Sequence, residues 1–342
     1  MGHKKIKNMN LNIFKNKRIL VTGGTGSFGQ KFTEIILKKT EIKSLIIYSR
    51  DEMKQYFMSQ KFNNTKVKFL TGDVRDKERL HSSMDSVDYV VHAAATKIVP
   101  AAEFNPTECV KTNIIGAMNV IEACKNNNIK KVVALSTDKA SNPINFYGAT
   151  KLASDKLFIA SNNFNSNNRC KFSVVRYGNV MGSRGSIIPF FLELKNNKKK
   201  YLITDKKMTR FMITLDQGVD LVLNVFQDMQ GGEIYVKKIP SMNIIDILKS
   251  IDPNPKIKII GIRPGEKLHE QMIGEEDSNF TYEYEDFYKI IPNILSTSNT
   301  KKMVKNGKKV KKNFVYNSLN NKEYMDIKYL SKWINKNKET FL

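Results

Sequence analysis

Short apolar runs alternate with amphipathic stretches along the first half of the chain. Six runs predict β-strands, at residues 19–21, 44–48, 67–70, 88–91, 132–135 and 173–176. Apolar residues at helical spacing predict helices between them, at 30–38, 107–125 and 147–162. Runs that are apolar throughout indicate strands buried on both faces, as in a parallel sheet covered by helices. The pattern therefore predicts a Rossmann-like, doubly wound α/β domain over residues 17–177.

The pattern becomes less regular after residue 177. One amphipathic stretch predicts a helix at 216–228, and four prolines interrupt the sequence beyond it, Pro240, Pro253, Pro255 and Pro264. Proline lacks the N–H group that helices and strand ladders use, so long elements are not expected there. Residues 178–342 are predicted to form a smaller C-terminal lobe, mainly for substrate binding, with a C-terminal extension.

A glycine-rich turn separates the first predicted strand from the first helix. Gly23, Gly26 and Gly29 recur every three residues. In a dinucleotide-binding turn these glycines permit the sharp turn, the approach of a pyrophosphate and close helix–strand packing. Many glycine-rich turns bind nothing, but the flanking strand and helix favour phosphate binding at the helix N-terminus. The predicted cofactor contacts in this turn are Gly23, Thr25, Gly26, Ser27, Phe28 and Gly29.

The ends of the next strands supply further candidates for the cofactor site. An acidic residue after the second strand suits the ribose 2'-hydroxyl of NAD, whereas an arginine suits the 2'-phosphate of NADP. Arg50 and Asp51 stand side by side there, and we favour NADP over NAD. The predicted contacts are Ser49, Arg50, Asp51, Glu52 and Lys54 after the second strand, Asp73 and Val74 beside the adenine, and Ala93 on the other side of the cofactor.

Two pairs of ionisable residues follow the fifth predicted strand. Asp138 and Lys139 are adjacent at the strand end, and Tyr147 and Lys151 share one face of a helix because they are four residues apart. A phenol has an unperturbed pKa of about 10, which a nearby ammonium and a cationic nicotinamide lower. The phenol can then accept a proton from a hydroxyl group. The same spacing is common in amphipathic helices by chance, but its position after a glycine turn favours catalysis.

Composition adds an excess of positive charge. The 342 residues include 57 Lys and Arg against 33 Asp and Glu, a formal charge of +24, which suggests nucleic acid, an acidic membrane surface or an anionic substrate. Residues 301–312 contain seven lysines and no acidic residue. No aromatic interleaving or nucleic-acid motif accompanies them, so we interpret this run as solvated surface and expect no nucleic-acid partner.

Cysteine content and hydropathy limit the setting of the protein. Cys109, Cys124 and Cys170 are far apart, which predicts free thiols, no disulfide framework and no cysteine-based metal site. About 17 residues precede the first strand, and no run of about 20 apolar residues occurs. With 41% hydrophobic residues the chain can bury a large core. We therefore expect a cytoplasmic protein without a membrane partner.

The chain resembles the extended short-chain dehydrogenase/reductases, and among them the family of inverting UDP-N-acetylglucosamine 4,6-dehydratases. The resemblance covers residues 17–291. The segments that carry it are 22–29, 48–52, 72–76, 92–100, 135–151, 175–189, 204–211 and 261–270. One position departs from the family pattern, since Ile98 stands where the family commonly has histidine. Any role of that imidazole is therefore absent.

The resemblance implies a reaction and its catalytic residues. A tightly bound NADP oxidises C4 of UDP-N-acetylglucosamine, water is lost across C5 and C6, and the hydride returns to C6, so the cofactor is recycled. Lys139 is implied as the base at C5 and Asp138 as the acid at the C6 hydroxyl, because configuration-preserving relatives carry Asp-Glu there. The product is expected to enter pseudaminic acid or a related surface glycan, as in flagellin glycosylation. A homo-oligomer, either dimer or hexamer, is also implied.

The matching segments supply candidate contacts beyond the catalytic residues. Lys97 is expected to reach both cofactor and sugar. Arginine forms paired hydrogen bonds with a diphosphate, and we favour Arg263 over Arg210 for this role. The predicted cofactor contacts in these segments are Lys97, Val180 and Arg184, and the predicted substrate contacts are Lys97, Thr137, Asn179, Ile187, Thr204, Met208, Arg263 and Glu266.

Two other functions are compatible with parts of this pattern. A UDP-sugar 4-epimerase shares the fold, the tyrosine and the lysine, but has no need of an acid and a base at C5 and C6. A non-catalytic Rossmann nucleotide sensor has no need of Tyr147 and Lys151 either. The adjacent Asp138 and Lys139 favour the dehydratase over both.

Overall fold

A large sheet forms the centre of the computed structural model, which describes residues 10–163, 170–197, 199–292 and 301–337. Six strands of this sheet confirm the prediction, each within one or two residues at either end. They are β1 (Arg18–Thr22), β2 (Ser44–Ser49), β3 (Val67–Thr71), β4 (Tyr89–His92), β5 (Lys131–Leu135) and β6 (Lys171–Arg176). All six run parallel, in the order β6-β5-β4-β1-β2-β3. This order is that of a doubly wound sheet.

Helices pack on the faces of the parallel strands. They are α1 (Ser27–Lys39), α2 (Glu52–Phe62), α3 (Lys77–Ser83), α4 (Val99–Phe104), α5 (Pro106–Val110), α6 (Gly116–Asn126) and α7 (Phe146–Ala160). The single helix predicted at 107–125 is present but contains a π-helical turn at Lys111–Ile115 between α5 and α6. Residues such as Leu20, Ile47 and Val91 are completely buried, because helices cover both faces of their strands.

The sheet continues beyond residue 177. Short strands follow β6 at β7 (Asn179–Val180), β8 (Tyr201–Ile203), β9 (Thr209–Ile213) and β10 (Ile234–Lys237), and β10 joins the large sheet parallel to β6. The later strands are β11 (Ser241–Asn243), β12 (Ile257–Ile259), β13 (Gln271–Ile273), β14 (Thr281–Glu283), β15 (Phe287–Ile290), β16 (Lys308–Lys309) and β17 (Tyr316–Asn317). Of these, β15, β14 and β16 extend the sheet in antiparallel pairing. The predicted division into two parts at residue 177 stays a prediction.

A second apolar core lies within the C-terminal half. The helices there are α8 (Ile187–Asn196), α9 (Leu215–Asp228), α10 (Ile244–Lys249) and one at Ile327–Asn337. The helix predicted at 216–228 is confirmed as α9, which packs on the large sheet. The second core includes Phe191, Met212, Leu248 and Leu330, and it supports the small sheet of β7, β9 and β11.

Two residues of the lysine-rich run form the edge strand of the large sheet. All seven lysines of residues 301–312 are exposed, and two of them make up β16. Exposed lysines on an edge strand hinder further strand pairing, which gives this run a structural explanation. Within the part of the chain that the structure describes, no helix is long and apolar enough to cross a membrane.

Candidate active site

The glycine-rich turn is shaped to hold an anion. Gly23 adopts a left-handed φ of 64°, and a Cβ atom there would lie 2.8 Å from the backbone of Ala94. A Cβ atom on Gly29 would lie 2.1 Å from the Gly24 carbonyl oxygen. Helix α1 begins at Ser27 without a side-chain capping hydrogen bond, so its first N–H groups remain available to a phosphate.

Side chains predicted to contact the cofactor surround this turn. The hydroxyl groups of Thr25 and Ser49 are 2.8 Å apart. The backbone N–H of Arg184 donates to the Ser27 hydroxyl over 3.3 Å, which brings the segment after β7 to the turn. The backbone N–H of Ala93 donates to Thr22 at the end of β1. The structure therefore brings together candidates from four separate segments.

Basic residues border the region after β2. Lys54 and Arg184 line a cavity of 150 Å³ together with Lys61 and Gln30. Asp51 caps α2 by accepting a hydrogen bond from the Lys54 backbone N–H, and the Lys54 side chain lowers the pKa of Asp51. The Asp51 carboxylate therefore accepts a hydrogen bond from its own helix, whereas Lys54, Lys61 and Arg184 border the cavity. Glu52 lies in the first turn of the same helix and is exposed.

Asp73 and Val74 follow β3 as predicted. The Asp73 carboxylate accepts two hydrogen bonds from the Arg75 guanidinium, at 2.7 and 2.9 Å, and lies 3.6 Å from Arg50. Partial burial opposes ionisation, but these cations lower the pKa of Asp73. Val74 is buried and its carbonyl accepts a hydrogen bond from Asn119.

The N-terminus of α7 packs against a 3₁₀ turn at Asp138–Ala140. Asn145 caps α7 by accepting a hydrogen bond from the Gly148 N–H over 2.7 Å. A Cβ atom on Gly148 would lie 2.2 Å from the Lys139 carbonyl oxygen. This close packing brings Tyr147 beside Asp138 and Lys139, so the two predicted pairs form one site.

Gly148→Ala is expected to destabilise the protein by about 1–3 kcal/mol, because the added methyl group forces α7 away from the 3₁₀ turn. Gly218→Ala provides a matched control in the interior of α9. A Cβ atom there meets only the Tyr177 ring, at 3.9 Å, and the substitution should stabilise by about 0.4–1 kcal/mol. Denaturant titration of both variants tests this. Equal stability of the two would contradict the packing described for Gly148.

Burial has the largest influence on the pKa of the Tyr147 phenol. Burial raises the pKa of Tyr147 to about 12, although the Lys139 charge and a hydrogen bond with Thr137 oppose the shift. Burial lowers the pKa of Lys151, and Asp155 one turn along α7 opposes that change. The charge that lowers the phenol pKa here is that of Lys139, and the lowering by Lys151 and a bound nicotinamide stays a prediction.

Four charged side chains form a cluster at the mouth of this site. The Lys139 Nζ lies 3.0 Å from Asp138 Oδ1 and 3.1 Å from Glu270 Oε1. Arg210 Nε lies 3.7 Å from the same Glu270 oxygen. The Asp138 and Glu270 side chains are 1% and 3% exposed, and each keeps one buried oxygen without a hydrogen-bond partner among the described residues. We define these four residues as the charge cluster.

The two carboxylates of the charge cluster differ in their pKa shifts. Burial raises the pKa of Asp138, with the Lys139 charge opposing and the Glu270 charge reinforcing the shift. Burial acts to raise the pKa of Glu270, but the Lys139 and Arg210 charges outweigh burial and lower this pKa. Burial acts to lower the pKa of Lys139, but the charges of the two carboxylates outweigh burial and raise this pKa. Environments that separate the pKa values of neighbouring groups in this way are typical of acid–base sites.

The predicted substrate residues have different surroundings, and one of them, Met208, contacts a member of the charge cluster. Lys97 donates to the Arg184 carbonyl over 3.1 Å, and burial lowers the pKa of Lys97. Asn179 in β7 has a buried Oδ1 without a hydrogen-bond partner among the described residues. Met208 Sδ accepts hydrogen bonds from Thr204 and Arg210. These contacts place Lys97 with the cofactor candidates.

The two candidate arginines differ in availability. Arg210 is 12% exposed, and its guanidinium donates to the carbonyl groups of Thr209 and Leu268. The Arg263 side chain is 51% exposed and has a loose ion pair with Glu266 at 4.0 Å. The Arg210 guanidinium thus donates to groups within the protein, whereas the more exposed Arg263 guanidinium is the better placed to donate to a ligand. Ile187 begins α8, with its side chain partly buried.

Sequence reasoning missed several side chains of this site. Glu270 is distant in sequence from Lys139, and an isolated glutamate gives no local signal. Asp155 accepts hydrogen bonds from Ser136, at 2.7 Å, and from Arg176, at 3.4 Å. Its position four residues after Lys151 on the same helix face was the available signal. Within the described ranges no group of residues has the composition of a metal site, and the three cysteines are buried.

Comparison with known proteins agrees with this fold and places the chain in the class of Rossmann-fold enzymes that modify nucleotide sugars. A sequence model of the polysaccharide biosynthesis protein family matches residues 19–292. A UDP-N-acetylglucosamine 4,6-dehydratase (inverting) from Campylobacter jejuni is 54% identical over 94% of this chain and 98% of its own length. A UDP-glucose 4-epimerase from Rickettsia massiliae is 42% identical over 87% of this chain and 89% of its own length.

A solved structure extends the agreement to three dimensions. The X-ray structure of Pen from Bacillus thuringiensis superposes with a TM-score of 0.87 and 34% identity, covering 96% of this chain and 99% of that chain. The chain thus belongs to the polysaccharide biosynthesis protein family and, within it, to the family of the inverting UDP-N-acetylglucosamine 4,6-dehydratases.

Proposed function

We propose that the protein is a UDP-N-acetylglucosamine 4,6-dehydratase that inverts C5. The observation that carries the proposal is the buried Asp138–Lys139 pair beside Tyr147, with 3.0 Å between Asp138 Oδ1 and Lys139 Nζ. An epimerase, which removes hydride only from C4, has no use for a second acid and base. The name and 54% identity of the Campylobacter jejuni relative also favour dehydration.

The glycine turn fits a dinucleotide phosphate, because the close approaches of Gly23 to Ala94 and of Gly29 to Gly24 leave no room for a Cβ atom, and the turn leads into the N-terminus of α1, which has no side-chain cap. Ser27, Arg184 and Lys97 would hold the cofactor from neighbouring segments. A nicotinamide bound there supplies a hydride acceptor and donor for the sugar and a positive charge beside the phenol. Tyr147 accepts the proton of the C4 hydroxyl, and Lys151 on the same helix face supports the phenolate.

A single proton transfer prepares both of the remaining reagents. When a proton moves from Lys139 Nζ to Asp138 across their 3.0 Å hydrogen bond, it leaves a neutral amine and a carboxylic acid. The amine takes the C5 proton, which is acidic because C4 is a ketone, and the C5–H electron pair forms the C5–C6 double bond. Asp138 gives its proton to the departing C6 oxygen, which leaves as water. Tyr147 and Lys139 thus take two protons from the sugar, and Asp138 returns one with the departing water. The Tyr147 phenol returns the second to C5, which restores the phenolate and leaves Lys139 and Asp138 as they began.

We propose NADP rather than NAD as the cofactor, retained through turnover because the net reaction transfers no electrons. Basic side chains line the cavity beside α2, namely Lys54, Lys61 and Arg184. Asp51 caps α2 and pairs with Lys54. Arg50 directly follows β2, and its contact with Asp73 is loose, at 3.6 Å. A 2'-phosphate would meet positive charge there, and a free 2'-hydroxyl would find Asp51 already engaged. The setting proposed for the enzyme is the cytoplasm, with a homo-oligomeric assembly and a product that enters pseudaminic acid or a related surface glycan.

Arg50→Ala is expected to weaken NADP binding about tenfold while leaving NAD binding within about twofold, because a charge-assisted contact to phosphate contributes on the order of 1.5 kcal/mol. Isothermal titration of the cofactor-stripped protein with each dinucleotide measures both affinities. Lys66→Ala, an exposed lysine in the turn before β3, is the control and should change neither. An equal loss for both cofactors would contradict the assignment of Arg50 to the 2'-phosphate.

The proposed reaction has a direct test. Incubation with UDP-N-acetylglucosamine should give a product that is lighter by one water, and proton NMR of the fresh product should show inverted C5. In deuterated solvent, one deuterium should enter at C5. A product of unchanged mass would instead support the epimerase, the activity named for the Rickettsia massiliae relative. Absence of any sugar turnover would favour a nucleotide sensor.

A further inference from the structure

Glu270 is the member of the charge cluster that lies outside the parallel strands. It immediately precedes β13, far along the chain from the 3₁₀ turn that holds Lys139. Ser318 fixes the Glu270 backbone, because its hydroxyl accepts from the Glu270 N–H over 2.9 Å and its N–H donates to the Glu270 carbonyl over 2.8 Å. The position of this carboxylate is thus set by the C-terminal half of the chain.

The geometry around Lys139 leaves one direction open. An ammonium group has three N–H bonds, and the Asp138 and Glu270 oxygens at 3.0 and 3.1 Å take two of them. Both carboxylates are buried, whereas the Lys139 side chain is 22% exposed. The third position therefore faces the accessible part of the site. When the proton moves to Asp138, the lone pair first faces Asp138. Rotation about the Cε–Nζ bond then turns the two remaining N–H bonds to the Asp138 and Glu270 oxygens and places the lone pair in the third position.

We propose that Glu270 is the positioning residue for Lys139, holding the amine so that its lone pair occupies the open third position where it meets the C5 proton. This role rests on the proposed dehydration. Asp138 alone leaves the Nζ group free to rotate about the Cε–Nζ bond, so a single carboxylate does not fix the direction of the lone pair.

Arg210 explains why the two carboxylates have different tasks. Its Nε is 3.7 Å from Glu270 Oε1, so Glu270 faces two cations, Lys139 and Arg210. Glu270 therefore remains an anion when Lys139 releases a proton, and the proton goes to Asp138. There it is the proton that the departing C6 oxygen requires. After Lys139 takes the C5 proton, Glu270 stabilises the ammonium that results.

Two substitutions separate orientation from charge. Glu270→Gln keeps an acceptor for Nζ and removes the charge, whereas Glu270→Ala removes both. We expect Glu270→Ala to lower kcat about 100-fold with KM for the UDP-sugar unchanged, because misdirection of a reacting group costs about that factor. Glu270→Gln should restore most of this loss, to within about tenfold of the unsubstituted enzyme. C4 oxidation should persist in both variants.

A second readout does not depend on turnover. Competitive labelling with acetic anhydride over a range of pH, read by peptide mass spectrometry, reports the protonation of Lys139 in the protein without sugar. Loss of the Glu270 charge should lower the labelling midpoint by about one pH unit in both variants. The charged and titratable groups acting on Lys139 in this measurement are Asp138, Glu270, Arg210, Tyr147 and Lys267.

Glu233→Gln is the matched control. Glu233 is a fully buried carboxylate that accepts hydrogen bonds from Ser173, Gln230 and Gly231 away from the charge cluster. The Glu233→Gln variant should leave the labelling midpoint of Lys139, the kcat and the KM unchanged per folded molecule. An unshifted midpoint in Glu270→Gln, or equal kcat in Glu270→Ala and unsubstituted enzyme, would overturn the positioning role. Absence of water loss by the unsubstituted enzyme would instead refute the proposed function, and the labelling result would still stand.

Discussion

Lys139→Ala is expected to stop the entry of solvent deuterium at C5 and to lower turnover about 10²- to 10⁴-fold, the range of a general base. The change leaves the Tyr147 side chain and the glycine turn in place but removes the Lys139 charge that lowers the pKa of Tyr147, so C4 oxidation should be slower and still occur. The variant should therefore develop the absorbance of reduced nicotinamide on mixing with UDP-N-acetylglucosamine without releasing water. Stopped-flow absorbance, together with mass spectrometry of the sugar, measures the two steps separately.

The control for this variant lies at the other end of the same strand. Lys131 begins β5 and donates from its side chain to the Phe226 carbonyl, remote from the carboxyl ends of the strands. Lys131→Ala should retain C5 exchange at the normal rate per folded molecule. C5 exchange that also persists in Lys139→Ala would show that another group removes the proton, and the role assigned to Lys139 would be wrong.

The parts of this site that the sequence predicts are those built from neighbouring residues. The glycine turn follows β1 directly. A Cβ atom at several of its positions would collide with backbone atoms, so the glycines in the sequence predict the shape of the turn. The spacing of Tyr147 and Lys151 reports a shared helix face. Strands β1 to β6 are predictable because burial on both faces imposes continuous apolar runs.

The parts that escaped prediction depend on contacts between distant segments. Glu270 meets Lys139 only after β13 and the 3₁₀ turn come together in the fold. The antiparallel strands β14 and β16 are two or three residues long and largely polar, so their sequences carry little periodicity. The π-helical turn at Lys111–Ile115 is held by tertiary contacts such as the hydrogen bonds between Asn113 and Thr96.

The excess of positive charge divides between surface and site. The lysines of residues 301–312 are exposed, and two of them form the edge strand β16. Inside the site, Lys139 and Arg210 face two carboxylates, so the charge cluster carries no net charge. The basic residues with a plausible anionic ligand are instead Arg50, Lys54 and Arg184 near the glycine turn. The sum of +24 therefore does not describe the electrostatics of the catalytic centre.

Tyr147→Phe is expected to abolish both reduced-nicotinamide absorbance and C5 exchange, with turnover reduced about 10²- to 10⁴-fold. The C5 proton is acidic only when C4 is a ketone, so loss of the group that accepts the C4 hydroxyl proton blocks every later step. This double loss distinguishes Tyr147 from Lys139, whose removal blocks exchange alone. Tyr89→Phe, a change to an equally buried phenol that donates to the Ile13 carbonyl, is the matched control and should retain both signals. Substantial C5 exchange in Tyr147→Phe would mean that a residue other than Tyr147 accepts the C4 hydroxyl proton, since the ketone must form before C5 loses its hydrogen.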